Sequence, residues 1–274
     1  MKEKLEIYCV TNKDLNFLRS LNYNLAAVGK NKFSEMYIRS DNKDNIYHKE
    51  LYYSELTFHY WFWKNRLKNY LENDSVWIGF CQKRRFWLKK EKKVKTENYY
   101  TKDDFLIEVP SQWLGHNAII CEPINLEVTN FMKLIKKGWK NVIQNPSIIF
   151  DKKQHTIKLH FDMFHGQKII DKAISVMDKK DRNDFKEYIS NSNKFNPHIM
   201  FIAKPKIANL WFTDLFRWLD ECEKIFGFGQ LKGYETTRLY AYLAERFLSY
   251  WFKKYSNYLE WPYTFMDSEK KLLD

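Results

Sequence analysis

The stretch from Asp44 to Trp87 constrains the fold of this chain more than any other. Its first motif, YYSELTFHYWFWKN (Tyr52 to Asn65), predicts a helix with Ser54 as N-cap and Glu55 in the first turn, where a carboxylate suits the helix dipole. Apolar residues at helical spacing continue this helix as one stripe: Leu56, Tyr60, Trp63, Leu67 and Tyr70. A short polar stretch then leads into the second motif, SVWIGFCQKRRFW.

The second motif predicts a strand that is buried on both faces. Val76 to Cys81 is a continuous apolar run that carries a glycine, as strands of parallel sheets do. Lys83, Arg84 and Arg85 follow it at once. A helix that feeds a buried strand ending in cations is a layout for binding an anion at the carboxyl edge of an α/β sheet.

The length and the net charge of the chain limit the number of domains and the kinds of partner to expect. With 274 residues we expect a single domain, made of an α/β core (1–205) and a helical C-terminal part (206–274). The formal net charge of +12 predicts an acidic partner, which is nucleic acid, an anionic membrane surface or a phosphate-bearing substrate. Charge alone does not choose among these partners.

The thiols and the apolar runs indicate a cytoplasmic protein. Its four cysteines lie far apart, with no C-x-x-C pair, which favours reduced thiols over a disulfide framework or a zinc site. The N-terminus does not resemble a signal peptide, and no apolar run approaches the length of a membrane span. The basic amphipathic segment Phe131 to Val142 fits either a helix resting on an anionic membrane or an ordinary surface helix.

Two polar segments are candidates for nucleotide binding. Thr11, Asn12 and Lys13 follow the first predicted strand, Leu5 to Val10, at the place where doubly wound folds hold a nucleotide. An ordinary turn explains them equally well. The irregular stretch 31–49 carries Asp44 and Asn45, and loops of this length are usually functional or disordered.

The rest of the chain alternates predicted strands and helices. Asp162 and His165 follow one strand and are either an orienting pair or ordinary capping and buried residues, and His198 lies at the mouth of another. The predicted strands are Leu25 to Val28, Ala118 to Cys121, His155 to His160 and Asn196 to Lys204, and the predicted helices are Ile169 to Tyr188, Leu210 to Phe226 and Thr237 to Tyr255.

The last predicted helix carries two charges among apolar neighbours. Glu245 and Arg246 lie in a segment that is apolar on nearly all faces, and buried charges need a partner or a function. One interpretation is a structural ion pair, such as Glu245 with Arg238. The other is catalysis.

In their order, these segments resemble a family of bacterial proteins once known only as a domain of unknown function and described as capsular and exopolysaccharide glycosyltransferases. The resemblance covers most of the chain and rests on IYCVTNKD, DNIYHK, YYSELTFHYWFWKN, IGFCQKRRFW, AIICEP, the segment of Asp162 and His165, PHIMFIAK and YLAERFLSYWF. The family usually reads His-Tyr-Arg-Arg after the central strand. Here Gln82 and Lys83 replace the first two residues, which puts donor choice or activity in doubt.

The resemblance implies a GT-A-like fold, a nucleotide-binding α/β sandwich with a mostly parallel mixed sheet and a helical C-terminal third. It also implies transfer of a hexosyl group from a UDP-sugar to a hydroxyl of a growing, lipid-linked capsular, exopolysaccharide or lipopolysaccharide glycan. Some members are similar to galactofuranosyltransferases. The protein would then work in the cytoplasm, with peripheral contact at the inner face of the membrane.

The common form of this fold holds Mn²⁺ or Mg²⁺ on the donor diphosphate through an Asp-x-Asp motif. No clear motif of that kind follows the central strand here, and Asp103, Asp104 and Asp162 are weak substitutes. A guanidinium pair also neutralises a leaving diphosphate, so metal dependence stays open. The residues expected to bind the diphosphate are Arg84 and Arg85, with Lys64 or Lys83 assisting.

The remaining roles concern the sugar and its acceptor. A carboxylate has to deprotonate the attacking hydroxyl if the anomeric centre is inverted, and Glu245 is the first candidate, followed by Asp162. The expected nucleotide ligands are Thr11, Asn12, Lys13, Asp44 and Asn45, and the expected sugar and acceptor ligands are Glu55, His165, His198 and Arg246.

Two other functions compete with glycosyl transfer. A basic, aromatic-rich chain fits single-stranded nucleic acid, but the aromatics lie in predicted core stripes and no nucleic-acid motif occurs, so no nucleic acid is expected. A non-catalytic member that binds sugar or scaffolds a complex agrees with the altered Gln82 and Lys83. A second copy of the chain is a further candidate partner, because aromatics this abundant favour exposed apolar surface.

Overall fold

A mostly parallel sheet forms the centre of the first of two compact units. The computed structural model describes residues 3–89, 100–126 and 155–269. Within them, the first unit contains 3–89, 100–122, 198–214 and 251–269, and the second contains 123–126, 155–197 and 215–250. These units interleave along the sequence and do not divide at residue 205, and the single-domain assignment stays a prediction.

The described strands and helices are named in chain order. The strands are β1 (Lys4–Thr11), β2 (Asn24–Ala27), β3 (Ile38–Arg39), β4 (Val76–Gln82), β5 (Arg85–Trp87), β6 (Ala118–Cys121), β7 (Ile124–Asn125), β8 (Lys194–Phe195), β9 (Phe201–Ala203), β10 (Tyr258–Trp261) and β11 (Tyr263–Phe265). The helices are α1 (Asn16–Arg19), α2 (Glu50–Tyr53), α3 (Leu56–Asn65), α4 (Ile157–His165), α5 (Ile169–Ser175), α6 (Lys179–Asn191), α7 (Pro205–Phe226), α8 (Tyr234–Thr237) and α9 (Leu239–Tyr255).

The sheet of the first unit has the order β10-β6-β9-β4-β1-β2-β3 among the described residues. Pairs β1 with β2, β1 with β4, β2 with β3 and β6 with β10 are parallel, whereas β9 runs antiparallel to both β4 and β6. The carboxyl ends of six strands therefore lie at one edge of the sheet: β1, β2, β3, β4, β6 and β10. This arrangement confirms the predicted α/β class with a mostly parallel mixed sheet.

Three of these strands form where the sequence predicts them. Strand β1 covers the predicted Leu5 to Val10, β4 covers Val76 to Cys81, and β6 coincides with Ala118 to Cys121. All four residues of β6 and six of the seven in β4 are buried. Continuous apolar runs are buried on both faces because helices cover a parallel sheet from both sides.

The aromatic helix packs on the sheet through a different face from the predicted stripe. Phe58 and Phe62 of α3 are fully buried and contact the rings of Tyr8 and Phe80. The helix ends at Asn65, so Leu67 and Tyr70 lie beyond it, and Tyr60 and Trp63 are only half-buried. The predicted stripe was wrong because Phe58 and Phe62, on roughly the opposite face of the helix from Tyr60 and Trp63, supply these ring contacts with the sheet.

The predicted N-cap was also wrong. Ser54 has a φ of 53°, in the left-handed region, which breaks the predicted helix into α2 and α3. Glu55 is the N-cap of α3, and the Ser54 carbonyl accepts a hydrogen bond from the Thr57 amide at 3.2 Å. A serine in this conformation is uncommon and marks a fixed bend.

Two strand predictions need correction. His155 to His160 is not a strand, because Thr156 caps α4 by accepting a hydrogen bond from the Leu159 amide at 3.2 Å. Ile157 and Phe161 then bury one face of that helix. Only Phe201–Ala203 of the predicted strand Asn196 to Lys204 is extended in the sheet.

The C-terminal third is not wholly helical. The helices α7 and α9 form there as expected, but β10 and β11 follow them. Strand β10 pairs in parallel with β6, and β11 pairs antiparallel with β5. Both strands were missed because they are short and their pairing partners are distant in sequence.

The second unit is mainly helical and has its own core. Phe185 of α6 contacts the rings of Trp218, Phe247 and Tyr250. Two hydrogen bonds pair buried polar groups there: the Ser249 hydroxyl accepts from the Asn196 amide at 2.6 Å, and the Trp218 indole donates to the Ala173 carbonyl at 2.8 Å. Pairing of buried polar groups keeps such a core from losing stability.

No helix among the described residues is long and apolar enough to cross a membrane. The basic segment Phe131 to Val142 and most of the basic run after Arg85 lie outside the described residues. The predicted cytoplasmic location and membrane contact therefore stay predictions.

We expect Gly79→Ala to destabilise the protein. A Cβ on Gly79, in the middle of β4, would lie 2.7 Å from Cγ1 of Ile202 and 3.2 Å from Cγ1 of Ile7. Overpacking of a core of this kind costs about 1–3 kcal/mol. Urea denaturation measures the loss of unfolding free energy.

The matched control is Gly229→Ala, because a Cβ on Gly229 meets nothing within 4 Å. We expect it to change the unfolding free energy by less than about 0.5 kcal/mol. Equal effects of the two substitutions would contradict the packing argument.

Candidate functional site

The ends of β1 and β4 bring polar and basic side chains together. The two strands are parallel neighbours, and Val10 pairs with Gln82 in the register, so the residues after them meet at one edge. The Lys83 ammonium donates to Oδ1 of Asn12 at 2.9 Å. The Thr11 hydroxyl closes the first turn by donating to the Lys13 carbonyl at 2.7 Å. Two segments predicted separately, for nucleotide and for diphosphate, therefore form one site.

Three cations of this site converge on one carboxylate. Glu269 accepts from Lys13 Nζ at 2.7 Å, from Lys83 Nζ at 2.9 Å and from Arg84 Nη2 at 2.9 Å. We call Lys13, Lys83 and Arg84 the cation cluster. Ammonium and guanidinium groups this close together repel one another unless an anion lies between them. The cluster is therefore built to hold negative charge.

Strand β11 brings Glu269 to the cluster. The Met266 amide donates to the Arg84 carbonyl at 2.9 Å, which continues the pairing of β11 with β5. The Ser268 hydroxyl then donates to the Lys83 carbonyl, and Asp267 Oδ1 lies 3.3 Å from Arg84 Nε. No local sequence pattern marks Asp267 or Glu269 as site residues, because only the pairing of β11 with β5 places them there.

The cluster lowers the pKa of Glu269. Hydrogen bonds from Lys13 and Lys83 stabilise the ionised carboxylate and lower its pKa from the ordinary 4.5 to about 2. The Glu269 side chain is 24% exposed, so water reaches it and screens these ion pairs. Glu269 is thus fully ionised at neutral pH while it remains open to solvent.

The two adjacent arginines, Arg84 and Arg85, contact different partners. Arg84 contacts Asp267 and Glu269, whereas Arg85 donates from Nε to Nε2 of His198 at 2.7 Å. His198 has a φ of 65°, and its Nε2 accepts this bond, so the ring carries its proton on Nδ1. The structure therefore places Arg85 with one predicted sugar ligand and Arg84 in the cation cluster.

The residue at the family's usual histidine position contacts a predicted sugar ligand. Gln82 donates from Nε2 to Oε1 of Glu55, which lies at the start of α3. The bend at Ser54 precedes this glutamate. An amide thus holds the Glu55 carboxylate at the end of β4.

Asp44, Asn45 and Lys64 lie around α3. Asp44 accepts from the Tyr60 hydroxyl at 3.2 Å, and Asn45 accepts from the Tyr47 amide at 3.1 Å, which fixes the loop. The ammonium of Lys64 lies 3.7 Å from the centre of the Trp63 ring, a cation–π contact. A groove of about 500 Å³ adjoins this loop and is lined by Ile38, Arg39, Asn42, Lys43, Trp61, Asn65 and Arg66.

The second unit holds the predicted base in an ion pair. Glu245 accepts from Nη1 of the adjacent Arg246, whose side chain is only 2% exposed. The Arg246 guanidinium also lies 4.1 Å from the centre of the Phe195 ring, and its Nη2 lies 3.3 Å from Nδ1 of His160. An arginine this buried needs a carboxylate nearby, and Glu245 supplies it.

His160 was not predicted as a site residue. Burial, with the charge of Arg246 as a smaller cause, lowers the pKa of His160 to about 3. Burial likewise lowers the pKa of His165 to about 4. His165 stacks on Tyr242 at 3.9 Å and contacts the Glu235 carbonyl through Nδ1 at 2.8 Å. Both histidines are therefore neutral near pH 7.

Asp162 is held by cationic and backbone groups. Its carboxylate accepts from Lys158 at 2.8 Å and from the Lys168 amide at 3.1 Å. Burial is the largest influence on its pKa and raises it, although these bonds oppose the shift. Lys158 also binds Asp171 at 2.6 Å, so Asp162 belongs to a charged network.

The carboxyl edge does not fit a divalent cation. Among the described residues, no group of three or more His, Cys, Asp or Glu side chains is placed to hold a metal ion. Asp104, one weak substitute for an Asp-x-Asp motif, accepts from the Thr101 amide at 2.8 Å as part of a capping box. The carboxylates at this edge, Asp267 and Glu269, are instead paired with Lys13, Lys83 and Arg84.

Comparison with known proteins supports the fold. The sequence model of the domain of unknown function DUF4422 matches residues 6–257. The chain is similar to the solved apo structure of WbbM, a bifunctional glycosyltransferase, with a TM-score of 0.65 and 18% identity. The match covers 96% of this chain and 45% of the WbbM chain, so this chain spans less than half of WbbM. No curated protein sequence matches it.

We expect the contribution of Glu269 to stability to depend on pH. Its pKa is about 2 in the folded protein and 4.5 as an ordinary carboxyl, so the folded state binds protons less readily. The stabilisation is therefore fully present above pH 4.5 and is lost as the pH falls towards 2. Melting temperatures of the wild type and Glu269→Gln measured across this range give the difference at each pH.

The difference should shrink steadily below pH 4.5. A difference that stays constant down to pH 3 would contradict the assignment. Such a result would mean that the shape of Glu269, and not its charge, stabilises the protein.

Proposed function

Because this chain belongs to the DUF4422 family, whose description assigns no activity, we propose a function from the site itself: transfer of a hexosyl group from a nucleotide diphosphate sugar to a hydroxyl. The observation that carries the proposal is the cation cluster at the carboxyl edge of a mostly parallel sheet. Ligands of open α/β sheets bind outside the carboxyl ends of the strands. The likeness to a structure described as a bifunctional glycosyltransferase supports the same reading.

The cation cluster suits a leaving nucleoside diphosphate. When the acceptor oxygen attacks the anomeric carbon, the bond from that carbon to the diphosphate oxygen breaks. The electron pair leaves with the nucleoside diphosphate, which gains negative charge. Lys13, Lys83 and Arg84 would stabilise this charge, and the Arg84 fork matches two phosphate oxygens. Arg85, which His198 holds, is the second arginine of the proposal.

The nucleoside would extend from the diphosphate along the neighbouring loops. Thr11 and Asn12 adjoin the cluster directly, and Asp44 and Asn45, which hold the loop beside α3, are the other proposed nucleotide ligands. Hydroxyl and carboxamide side chains at strand ends suit the ribose and base of a nucleotide. UDP is the expected nucleotide because the resemblance of the sequence implies it.

Glu245 is the proposed base that removes the proton from the acceptor hydroxyl. Its side chain is 18% exposed, so water and a substrate hydroxyl can reach it. Its bond to the buried Arg246 fixes the position of the carboxylate. Asp162, whose carboxylate bonds to Lys158, is the second candidate. The proposed sugar and acceptor ligands are Glu55, His165, His198 and Arg246.

The finer assignments follow from the resemblance of the sequence. The proposed donor is a UDP-hexose, with galactofuranose as one candidate sugar. The proposed acceptor is an oligosaccharide or lipid-linked glycan of a capsular, exopolysaccharide or lipopolysaccharide type, reached at the inner face of the membrane. A non-catalytic member that only binds sugar is the second candidate, because Gln82 occupies the usual histidine position and contacts Glu55.

We expect Lys83→Met and Arg84→Met each to weaken UDP binding about tenfold, since each removes a charge-assisted hydrogen bond to phosphate. Isothermal titration calorimetry measures the affinity, with manganese and with a chelator. Lys68→Met is the matched control, because Lys68 is an exposed lysine of the same unit. Lys64→Met shows whether Lys64 assists.

Binding that survives chelation and is about tenfold weaker in each cluster variant supports the proposal. Binding that requires manganese, or that is equal in Arg84→Met and Lys68→Met, contradicts it. UDP-sugars tested in the same way rank the donors.

We expect Glu245→Gln to slow glycosyl transfer by at least about a hundredfold, because general bases contribute rate factors of this size. UDP affinity should not change, since the substitution leaves the cation cluster intact. The measurement is the rate of UDP release from the best-binding UDP-sugar in the presence of an acceptor oligosaccharide.

Glu221→Gln is the control, because Glu221 is a surface carboxylate of the same unit that pairs with Lys224. Undiminished transfer by Glu245→Gln would remove Glu245 as the base. Asp162→Asn would then test the second candidate.

A further inference from the structure

The cation cluster already binds an anion that the chain itself supplies. Glu269 accepts hydrogen bonds from all three cluster residues, at 2.7 to 2.9 Å. Asp267 adds a second carboxylate 3.3 Å from Arg84 Nε. The two carboxylates together present two negative charges to the cluster, as a diphosphate would.

We propose that the Asp267–Glu269 segment is an internal competitor for the diphosphate site, which the donor has to displace before it binds. This inference rests on the proposed function, because it assumes that the cluster binds a diphosphate. We call the segment the carboxylate latch. The donor and the latch need the same nitrogen atoms, so both cannot hold them at once.

The ion pairs between the latch and the cation cluster are partly exposed, so a ligand can displace them. Lys13 is 50% exposed and Arg84 is 37% exposed, and water screens ion pairs at such positions. The backbone of the segment is held by the amide of Met266 and the hydroxyl of Ser268. Three residues of β11 anchor it upstream. The latch can therefore leave the cluster while β11 stays paired with β5.

A diphosphate has an advantage over the latch at these cations. Its charges lie on two phosphates joined by one bridging oxygen, whereas the two carboxylates of the latch lie on separate side chains. A monophosphate or a simple carboxylate offers no such advantage. The latch would therefore raise the selectivity of the site for diphosphates, and it would keep the cluster neutralised when no donor is present.

The latch leaves the second arginine untouched. Arg85 bonds to His198 and lies 5.3 Å from the centre of the Phe265 ring, so neither of these contacts supplies a carboxylate. Arg85 can thus attract the donor while Glu269 still occupies the cluster.

The test compares UDP affinity in the wild type, Glu269→Gln and Glu260→Gln by calorimetry. Glu260 is the matched control, because it is a nearby carboxylate in β10 that pairs with Lys253 at 3.3 Å. Glutamine keeps the shape of the side chain and removes the competing charge. We expect Glu269→Gln to bind UDP about three- to tenfold more tightly, the factor that removal of partly screened ion pairs allows. Glu260→Gln should bind as the wild type does.

Hydrogen exchange separates displacement from a simple change of charge. If UDP displaces the latch, the amides of residues 266–269 should exchange faster in the wild type when UDP is bound. A static carboxylate would leave their exchange unchanged or slower. Tighter binding by Glu269→Gln without faster exchange in the wild type would overturn the proposal.

The remaining outcomes distinguish the latch from the proposed function. Equal UDP affinity in the wild type and Glu269→Gln, with loss of binding in Arg84→Met, overturns the latch and leaves the diphosphate site standing. Weaker binding by Glu269→Gln also overturns it, because Glu269 would then organise the cluster. Absence of UDP binding in all variants overturns both. A thermal unfolding transition in each variant establishes that the proteins compared are folded.

Discussion

The parallel pairing of β1 with β4 is the constraint on which the rest of the site depends. Parallel strands end at the same edge, so this register brings Asn12 and Lys13 against Lys83 and Arg84. Cations held that close have to be neutralised, and here the chain supplies Glu269 from beyond β11. The same cations lower the pKa of the Glu269 carboxyl, because each of them favours its ionised form. Anion binding is thus a consequence of the sheet topology.

In the second unit, burial determines which side chains are charged. Arg246 lies against aromatic rings with almost no exposure, and a guanidinium in such surroundings is stable only beside a carboxylate. Glu245 supplies it, while His160 and His165 stay neutral because burial disfavours their charged forms. The structure therefore shows the ion-pair interpretation of Glu245, and its catalytic role stays a proposal.

Local patterns predicted the elements whose signals are long and continuous. The apolar runs of β1, β4 and β6 can only be strands with both faces covered, and the structure confirms them. Prediction failed where local signals were short or ambiguous. The alternation of His155 to His160 suggested a strand, but Thr156 caps a helix there. Ser54 bends the aromatic helix through a left-handed φ, and nothing in its neighbours announces that conformation.

The sequence by itself determined the α/β class, the buried strands and the basic residues that follow the central one, because these depend on residue type and spacing along the chain. Only the tertiary structure decided which charges meet. Arg84 and Arg85 are adjacent in sequence, yet one contacts Glu269 and the other His198. Glu269 contacts Lys83 although 186 positions separate them in the sequence, because the short strand β11 pairs with β5 and carries Glu269 there. Hydrogen bonding between distant strands sets such contacts, and no local pattern of residues encodes them.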